Sequence, residues 1–374
     1  MKMIDTIKIQ VALPSPLKRP RLRFNQNTYY PGYDGPIKAY LNTSKSDKKI
    51  SAYHPSFTYY QNPDYFKGPK YCINLEVSLP KLINGNNFVE LDDDSLEEIV
   101  RRLVLELKRI GVTVTKKQIL ESEIVKIDFA KNIIFNDYTS PSSLIKYFES
   151  ANISRVYTPQ RTNYRGGGRV AHFQNNCEDI VLYDKISDLQ SGIKSNSHAQ
   201  EQDNYIQKGL LESLKSRPGL MVARFEVRLN GKRKIRLTLQ QARLPDAGLT
   251  IKELFKVDVA RAVLLYKWHL IVDNIPASTL LTSSPDLLFA QIIKDPYTNL
   301  RGAIEVFFMA QMLSSNDNRH VRNMIEDRFG KHAWNKLKDS RGPPAIGLIK
   351  SLSDAGKQIE NMKPAVYEDL FETC

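Results

Sequence analysis

The sequence predicts an α+β protein, with an N-terminal antiparallel sheet that has helices on one face, followed by a mostly helical C-terminal domain. Three observations indicate this fold class. Segments of alternating polarity are frequent in the first 240 residues, an amphipathic helix interrupts them, and long helical runs dominate from about Thr250. We therefore predict two domains, residues 1–240 and 241–374, with the boundary between Gly231 and Thr250.

Alternation of apolar and polar residues predicts the first strands in chain order. Three of them are Thr6–Leu13, Ile37–Asn42 and Ser56–Tyr60. Lys70–Ile83 is the most strand-like segment, because every second side chain in its centre is apolar. The same alternation places Glu76 on the opposite, polar face of that strand.

Ser95–Ile110 has the apolar spacing of an amphipathic helix, and Gly111 is predicted to end it. Glu121–Phe135 is again strand-like, and Ser140–Ser150 is predicted to be a short helix. Strict alternation divides the long strand into two faces. Ile124, Lys126, Asp128 and Ala130 share one face, and Val125, Ile127 and Phe129 share the other.

The stretch from Glu178 to Leu189 brings a tyrosine and a lysine to a predicted junction. Its apolar spacing changes from two to three, which is typical of a strand that passes into a helix or turn. Tyr183 lies at this junction, and Lys185 follows on the same face of an extended chain. A phenol with a free pKa of about 10 becomes a nucleophile when a cation or metal stabilises the phenolate. The alternative is a tyrosine at a sheet edge beside a solvated lysine.

Gly219–Leu229 is a strand with Phe225, Val227 and Leu229 on one face and Arg224, Glu226 and Arg228 on the other. Glu76, Asp128 and Glu226 thus each lie on the polar face of a predicted strand. Carboxylate oxygens suit Mg²⁺ or Mn²⁺, which polarise a phosphate. For each acid the alternative is a surface salt bridge. For Glu226 an ion pair with the flanking arginines is as plausible as metal ligation.

The chain is basic and resembles a nucleic-acid-binding protein in its charge. Lysine and arginine number 54 and aspartate and glutamate 41, which gives a net charge of +13 and an isoelectric point near 9.4. Nucleic acid is the first expected partner and an anionic membrane the second. The glycine turn YRGGGR lies among arginines and lacks the phosphate-binding glycine motifs. We assign nucleic-acid contacts to Arg161, Arg165, Arg169 and Lys81.

Three cysteines without a C-x-x-C spacing indicate a reducing cytoplasm. The N-terminus is too polar for a signal peptide, and no apolar run is long enough to predict a transmembrane helix. Arg319–Arg341 is basic with a central glycine, which suits either a helix-turn-helix or a plain helical hairpin.

Four stretches, in order, resemble the replication-initiation proteins of the filamentous-phage gene II type, the II/X family. Met3-Ile-Asp-Thr-Ile resembles the opening strand of that family. Glu76-Val-Ser-Leu-Pro-Lys81 with Asn84-Gly-Asn-Asn-Phe88 resembles its E-F-S-x-x-K…G-x-N block, and Lys126-Ile-Asp128 its R-I-D strand. Leu182-Tyr183-Asp-Lys185 and Arg224-Phe-Glu226-Val-Arg228 resemble its Y-x-K and R-F-E-x-R strands. The resemblance covers roughly residues 3–230.

This resemblance implies a rolling-circle nickase: a metal-dependent DNA endonuclease and transesterase of a phage or plasmid. Its tyrosine nicks one strand of single-stranded or supercoiled origin DNA, stays joined to the 5′ phosphate and leaves a 3′-OH. Tyr183 is then the nucleophile with Lys185 as its cationic neighbour, and the metal-ligand candidates are Glu76, Asp128 and Glu226.

The expected location of such a nickase is the cytoplasm of a bacterial host, with the host helicase and polymerase as partners. The sequence departs from the pattern of the II/X family and its wider superfamily at two points. Lys126 stands where an arginine is common before Ile-Asp, and no His-hydrophobe-His motif is present. Two other functions stay open. One is a DNA- or RNA-binding protein without catalysis, and the other is a relaxase for plasmid mobilisation. The C-terminal domain is expected to bind DNA or a protein partner.

Overall fold

The computed structural model describes most of the chain as far as residue 275. The described residues are 3–15, 25–26, 37–41, 53–61, 71–91, 95–135, 141–153, 156–163, 169–192 and 220–275, with 300, 301, 304, 307, 326–330 and 357–361. Within these ranges the fold is mixed α+β with an antiparallel sheet. The predicted α+β class is confirmed at this level.

Ten strands form the sheet, and each pairs antiparallel with its neighbours. They are β1 (Ile4–Leu13), β2 (Asn25–Gln26), β3 (Ile37–Leu41), β4 (Ser56–Gln61), β5 (Tyr71–Ser78), β6 (Glu123–Phe135), β7 (Thr158–Asn163), β8 (Arg169–Asn175), β9 (Glu178–Asp184) and β10 (Met221–Asn230). Their order across the sheet is β2-β3-β4-β5-β1-β6-β10-β9-β8-β7. Strands far apart in sequence therefore lie side by side at the centre.

Eight helices accompany the strands between residues 71 and 275 of the described chain. They are α1 (Leu79–Asn84), α2 (Ser95–Arg109), α3 (Lys116–Leu120), α4 (Pro141–Glu149), α5 (Lys185–Gly192), α6 (Lys232–Gln241), α7 (Ile251–Leu254) and α8 (Val257–Val272). Apolar side chains of α2, α4, α6 and α8 share one core with the apolar face of the sheet. That arrangement leaves the other face of the central strands for polar groups.

An aromatic cluster shows how the helices are fixed on this apolar face. The ring of Phe225 on β10 lies 5.3 Å from the ring of Trp268 on α8 and 6.0 Å from that of Phe148 on α4. Phe148 and Trp268 are 4.8 Å apart. Edge-on contacts of this kind add to the hydrophobic gain from burying three large rings. Because Phe225 faces the core, its neighbours on β10 must face the other way.

The strand that contains Glu76 ends earlier than the sequence predicts. β5 stops at Ser78, and α1 begins at Leu79 instead of the strand continuing to Ile83. Pro80 lies in the first turn of the helix, where its missing N–H costs nothing and its fixed φ favours the helix. Gly85 ends α1 with φ of 72°, a conformation that a glycine adopts without strain.

The predicted division of β6 into two strict faces is wrong at its start. Ile124 and Ile127 are both fully buried in the core, although they are an odd number of residues apart. The register with β1 shifts at this point, since Lys8 pairs with Lys126 but Ile9 pairs with Ile124. A bulge of one extra residue switches the alternation. Beyond the bulge, Asp128 lies on the polar face as predicted.

The chain just beyond residue 240 packs into the same core as the sheet. Ile251 and Leu254 of α7 and Val263 of α8 are fully buried there. The helical runs predicted further on, including Arg319–Arg341, fall mostly outside the described residues. The division into two domains therefore stays a prediction. In the part of the chain that the structure describes, no helix has the length and apolar character needed to cross a membrane.

Candidate functional site

A polar cavity of about 490 Å³ lies on the face of the sheet opposite the main core. The walls come from β1, β6, β8, β9 and β10 and from the start of α5. The side chains that line the cavity include Tyr183, Lys185, Asp128, Glu226, Arg228 and His172. Residues from distant parts of the sequence meet here because their strands are neighbours in the sheet.

Tyr183 lies near the end of β9, and its side chain is 8% exposed. It packs with Val170 and Val181 in a small cluster separate from the main core. Its hydroxyl donates a hydrogen bond to Oε1 of Glu226, at 2.8 Å. Burial and the negative charge of Glu226 raise the pKa of Tyr183 well above its ordinary value. The phenol is therefore held protonated.

Lys185 begins α5, so the predicted change from strand to helix occurs between it and Tyr183. Asp184 caps this helix by accepting hydrogen bonds from two backbone N–H groups in its first turn. The Lys185 ammonium lies 5.5 Å from the centre of the Tyr183 ring. It also donates to Asn87 at 3.2 Å and to Asp188 at 3.3 Å. Burial lowers the pKa of Lys185.

Glu226 is held by two arginines of its own strand. Nε of Arg224 donates to Oε1 at 2.7 Å, and Nε of Arg228 donates to Oε2 at 2.9 Å. Burial alone would raise the pKa of Glu226, but the two guanidinium groups hold it well below its usual range. Both carboxylate oxygens are thus occupied, which is the ion pair that the sequence left as an alternative for this residue.

Arg224 is the fully buried centre of the site. Besides Glu226, it donates from Nη1 to the backbone oxygen of Asn87 at 2.9 Å and to Oδ1 of Asn132 at 3.1 Å. Its Nη2 lies 2.9 Å from Oδ1 of Asp5. A guanidinium has five N–H donors in a fixed plane, so it can join four segments of chain at once. A lysine has no such geometry.

The segment after α1 is shaped by its asparagines. Oδ1 of Asn86 accepts hydrogen bonds from the backbone N–H groups of Phe88 and Val89, both at 3.0 Å. This local turn positions Asn87, whose side chain accepts from Lys185 and whose backbone accepts from Arg224. The N-G-N-N-F motif therefore has a structural role at the site.

Glu76 and Asp128 lie on the same polar face but in different surroundings. Glu76 accepts from Lys126 at 2.7 Å and from Lys8 at 3.1 Å, so it is part of an ion-pair group beside the cavity. Asp128 is 6% exposed and lies 3.6 Å from the Lys126 ammonium. Its Oδ1 is buried without a hydrogen-bond partner among the described residues. Of the three acids proposed as metal ligands, Asp128 is therefore the one with a buried oxygen that lacks a hydrogen-bond partner among the described residues.

The three acids proposed as ligands of Mg²⁺ or Mn²⁺ do not fit a shared metal site in this side-chain arrangement. The Glu226 carboxylate is paired with two arginines and the Glu76 carboxylate with two lysines. One oxygen of Asp128 has no hydrogen-bond partner among the described residues. No group of three His, Cys, Asp or Glu side chains in the described ranges is placed to hold a metal ion. A hard cation needs several oxygen ligands at short range. The metal site stays a prediction.

Asp128 gives a prediction about pH. Burial raises the pKa of Asp128 from 3.8 to about 7, although the charges of Lys126 and Arg228 oppose the rise. Between these pH values the folded protein keeps a proton that the unfolded chain has lost, so stability falls as the pH rises. Asp128→Asn removes this cost. We expect its midpoint of thermal unfolding at pH 8 to exceed that of wild type by about 3 °C or more.

The difference between Asp128→Asn and wild type should nearly vanish at pH 4, where the native carboxyl is already neutral. Scanning calorimetry at both pH values measures this. Asp258→Asn is the matched control, because Asp258 is 82% exposed on α8, and it should follow wild type at each pH. A lower midpoint for Asp128→Asn at pH 8 would show that the ionised carboxylate stabilises the site.

The residues assigned to nucleic-acid contacts are not brought together by the described structure. Lys81 lies half-buried on α1 and is not among the described residues that line the cavity. Arg161 and Arg169 belong to β7 and β8, which pair with each other, but the structure describes only the backbone of these two residues. Arg165 lies outside the described residues. The cations at the cavity are instead Lys126, Lys185 and Arg228.

His172 also lines the cavity, and sequence reasoning missed it because the six histidines are scattered. Its Nε2 lies 2.9 Å from Oδ1 of Asp179. The two residues are seven apart in sequence and meet only because β8 and β9 form a hairpin. Two alternating segments joined by a tight turn predict a hairpin. That hairpin would have placed His172 and Asp179 close together on one face.

Comparison of the chain with known protein families, with curated proteins and with solved structures finds no significant match. The case for a function therefore depends on the residues and the geometry of the cavity.

Proposed function

We propose that this protein is a DNA nicking and closing enzyme of the rolling-circle type, in which Tyr183 forms a covalent bond to a 5′ phosphate. One observation carries the proposal. Tyr183 lines a polar cavity together with three cationic side chains, Lys126, Lys185 and Arg228. A phenol among cations in a concave site suits attack on a phosphodiester. The resemblance to the II/X family supports the same residue.

The cations supply a site for the phosphate. Arg228 is 37% exposed and Lys126 is 23% exposed, so both can contact a ligand in the cavity. Guanidinium and ammonium groups stabilise the negative charge that develops on the non-bridging phosphate oxygens during displacement. The net charge of +13 favours approach of a polyanion.

Glu226 is the group placed to take the proton of the nucleophile. It already accepts the Tyr183 hydrogen bond, but the arginines make it a weak base. When Arg228 turns to the phosphate, Glu226 loses one of its two positive neighbours and its pKa rises. The phenol oxygen then bonds to phosphorus, the proton passes to Glu226, and the bond to the 3′ oxygen breaks. This gives the phosphotyrosine and a 3′ end that can later rejoin.

The experiment is a search for the covalent adduct. A pool of random-sequence single-stranded oligonucleotides, labelled at the 3′ end, is incubated with the protein and Mn²⁺ and separated on a denaturing gel. We expect label on the protein, and mass spectrometry of the digested adduct should place the nucleotide on the Tyr183 peptide. A plasmid pool under negative supercoiling tests duplex DNA in the same way. A nucleotide on a different peptide would contradict the assignment.

A nucleic-acid-binding protein without catalysis is the second candidate. The observation that favours it is the resting state of the site, with a protonated phenol and a carboxylate saturated by arginines. Retention of labelled DNA on a filter with no adduct, with or without Mn²⁺, would support this second function. A relaxase for plasmid mobilisation would use the same chemistry. Nicking at a replication origin would indicate a replication initiator, and nicking at a transfer site would indicate a relaxase.

A further inference from the structure

A histidine in the wall of the cavity pairs with an aspartate of the neighbouring strand. His172 lies on β8 and Asp179 on β9, with Nε2 and Oδ1 2.9 Å apart. Each side chain is 19% exposed, so the pair is partly shielded from water, and His172 lines the cavity. Nδ1 of His172 has no hydrogen-bond partner among the residues that the structure describes. The site described so far gives this pair no role.

The strand register fixes where His172 lies relative to the nucleophile. Val170 pairs with Tyr183, and His172 pairs with Val181, so His172 is the diagonal neighbour of Tyr183 on the same face. Diagonal neighbours of this kind lie about 7–8 Å apart, with their β-carbons somewhat closer. A phosphorus atom with one oxygen on each side can be accommodated in such a gap. His172 and Tyr183 therefore line the same cavity from neighbouring strands.

The chemistry of the pair suits proton transfer. Imidazole is the side chain whose ordinary titration lies nearest neutral pH. A carboxylate bonded to one ring nitrogen fixes the orientation of the ring and stabilises the imidazolium. The departing 3′ oxygen of DNA is a strongly basic alkoxide, so a proton donor accelerates its loss. In the reaction proposed above, Glu226 serves the nucleophile and no residue yet serves the leaving group.

We propose that His172 is the general acid for the leaving 3′ oxygen, with Asp179 as its positioning residue; this inference rests on the proposed function. As the bond from Tyr183 to phosphorus forms and the bond to the 3′ oxygen breaks, the imidazolium gives its proton to that oxygen. The products are a 3′-OH, a phosphotyrosine and a neutral imidazole. In rejoining, His172 takes the proton from the 3′-OH while the tyrosine leaves.

A sulfur-substituted substrate tests this role. The oligonucleotide recovered from the adduct is made with sulfur in place of the bridging 3′ oxygen at the cleaved bond. A thiolate leaves without a proton, so it needs no acid. We expect His172→Asn to form adduct about 100-fold more slowly than wild type on the oxygen linkage but at close to the wild-type rate on the sulfur linkage. Asp179→Asn should show the same pattern with a smaller loss.

His54→Asn is the matched control. His54 also pairs with a carboxylate, Glu106, at 3.0 Å, but it is not among the described residues that line the cavity. It should leave both rates unchanged. This control shows that the loss of a histidine–carboxylate pair elsewhere in the fold has no effect on the reaction.

Each other outcome overturns the inference. If His172→Asn slows both linkages equally, the residue supports the structure of the site and is not the acid. If it slows neither, the proton comes from elsewhere. In both cases an adduct on Tyr183 would remain, and the proposed function with it. If wild type forms no adduct with either linkage, the proposed function and this inference fail together.

Discussion

Tyr183→Phe is expected to abolish the covalent protein–DNA adduct while the protein still folds and binds DNA. The substitution removes only the hydroxyl, and the ring keeps its contacts with Val170 and Val181. Without the phenol oxygen no bond to phosphorus can form, so adduct should fall by about 10⁴-fold or more. The loss of one hydrogen bond to charged Glu226 should cost about 1.5–3 kcal/mol of stability.

Tyr157→Phe is a close control for this variant. The Tyr157 hydroxyl also donates to a buried carboxylate, that of Glu178, at 2.7 Å. It lies in the main core and not at the cavity. We expect a comparable loss of stability in urea unfolding but normal adduct formation. An equal amount of adduct from Tyr183→Phe and wild type would make the assignment of the nucleophile wrong.

Arg224→Met is expected to lower the free energy of unfolding by about 3–5 kcal/mol, because it leaves buried charges without their partner. Methionine fills a similar volume but donates no hydrogen bond. Glu226 would lose one of its two guanidinium partners, and Asp5 would lose the cation at 2.9 Å. The segment at Asn87 and the side chain of Asn132 would also lose their donor. Urea unfolding followed by circular dichroism measures the change.

Arg101→Met is the matched control for Arg224→Met. Arg101 also makes a two-point ion pair, with Glu98, but on the exposed face of α2. Exposed pairs of this kind contribute little, so the variant should unfold close to wild type. The double variant Arg224→Met with Glu226→Gln should recover part of the stability, because it also removes one unpaired charge. Equal unfolding of wild type and Arg224→Met would contradict a central role for this guanidinium.

Alternation in the sequence was sufficient to place several site residues on the correct face of the sheet. On β10, burying Phe225 and Val227 requires Arg224 and Glu226 to face the other way, and the structure agrees. The junction at Tyr183 was visible because the apolar spacing changes there. These inferences succeed because the period of two in a strand is a local property of the chain.

The hydrogen-bond and ion-pair partners of each site residue could not be predicted from this alternation. Asp5 and Asn132 meet at Arg224 only through the order of the sheet, which the local pattern does not specify. The bulge before Lys126 also interrupts the strict alternation of faces along β6. The early end of β5 at Ser78 reflects Pro80, whose effect on the strand was not weighed. Long-range register decides these features, and it depends on the whole fold.

The four groups that surround Arg224 come from residues 5, 87, 132 and 226. β10 is the last strand in sequence among those described, and it carries the guanidinium to which the earlier segments bond. During translation, a nascent chain that ends before β10 already contains Asp5, Asn87 and Asn132. It does not yet contain the Arg224 guanidinium to which these three residues bond. A chain that terminates before β10 therefore lacks both Arg224 and Glu226 and cannot form the complete cavity.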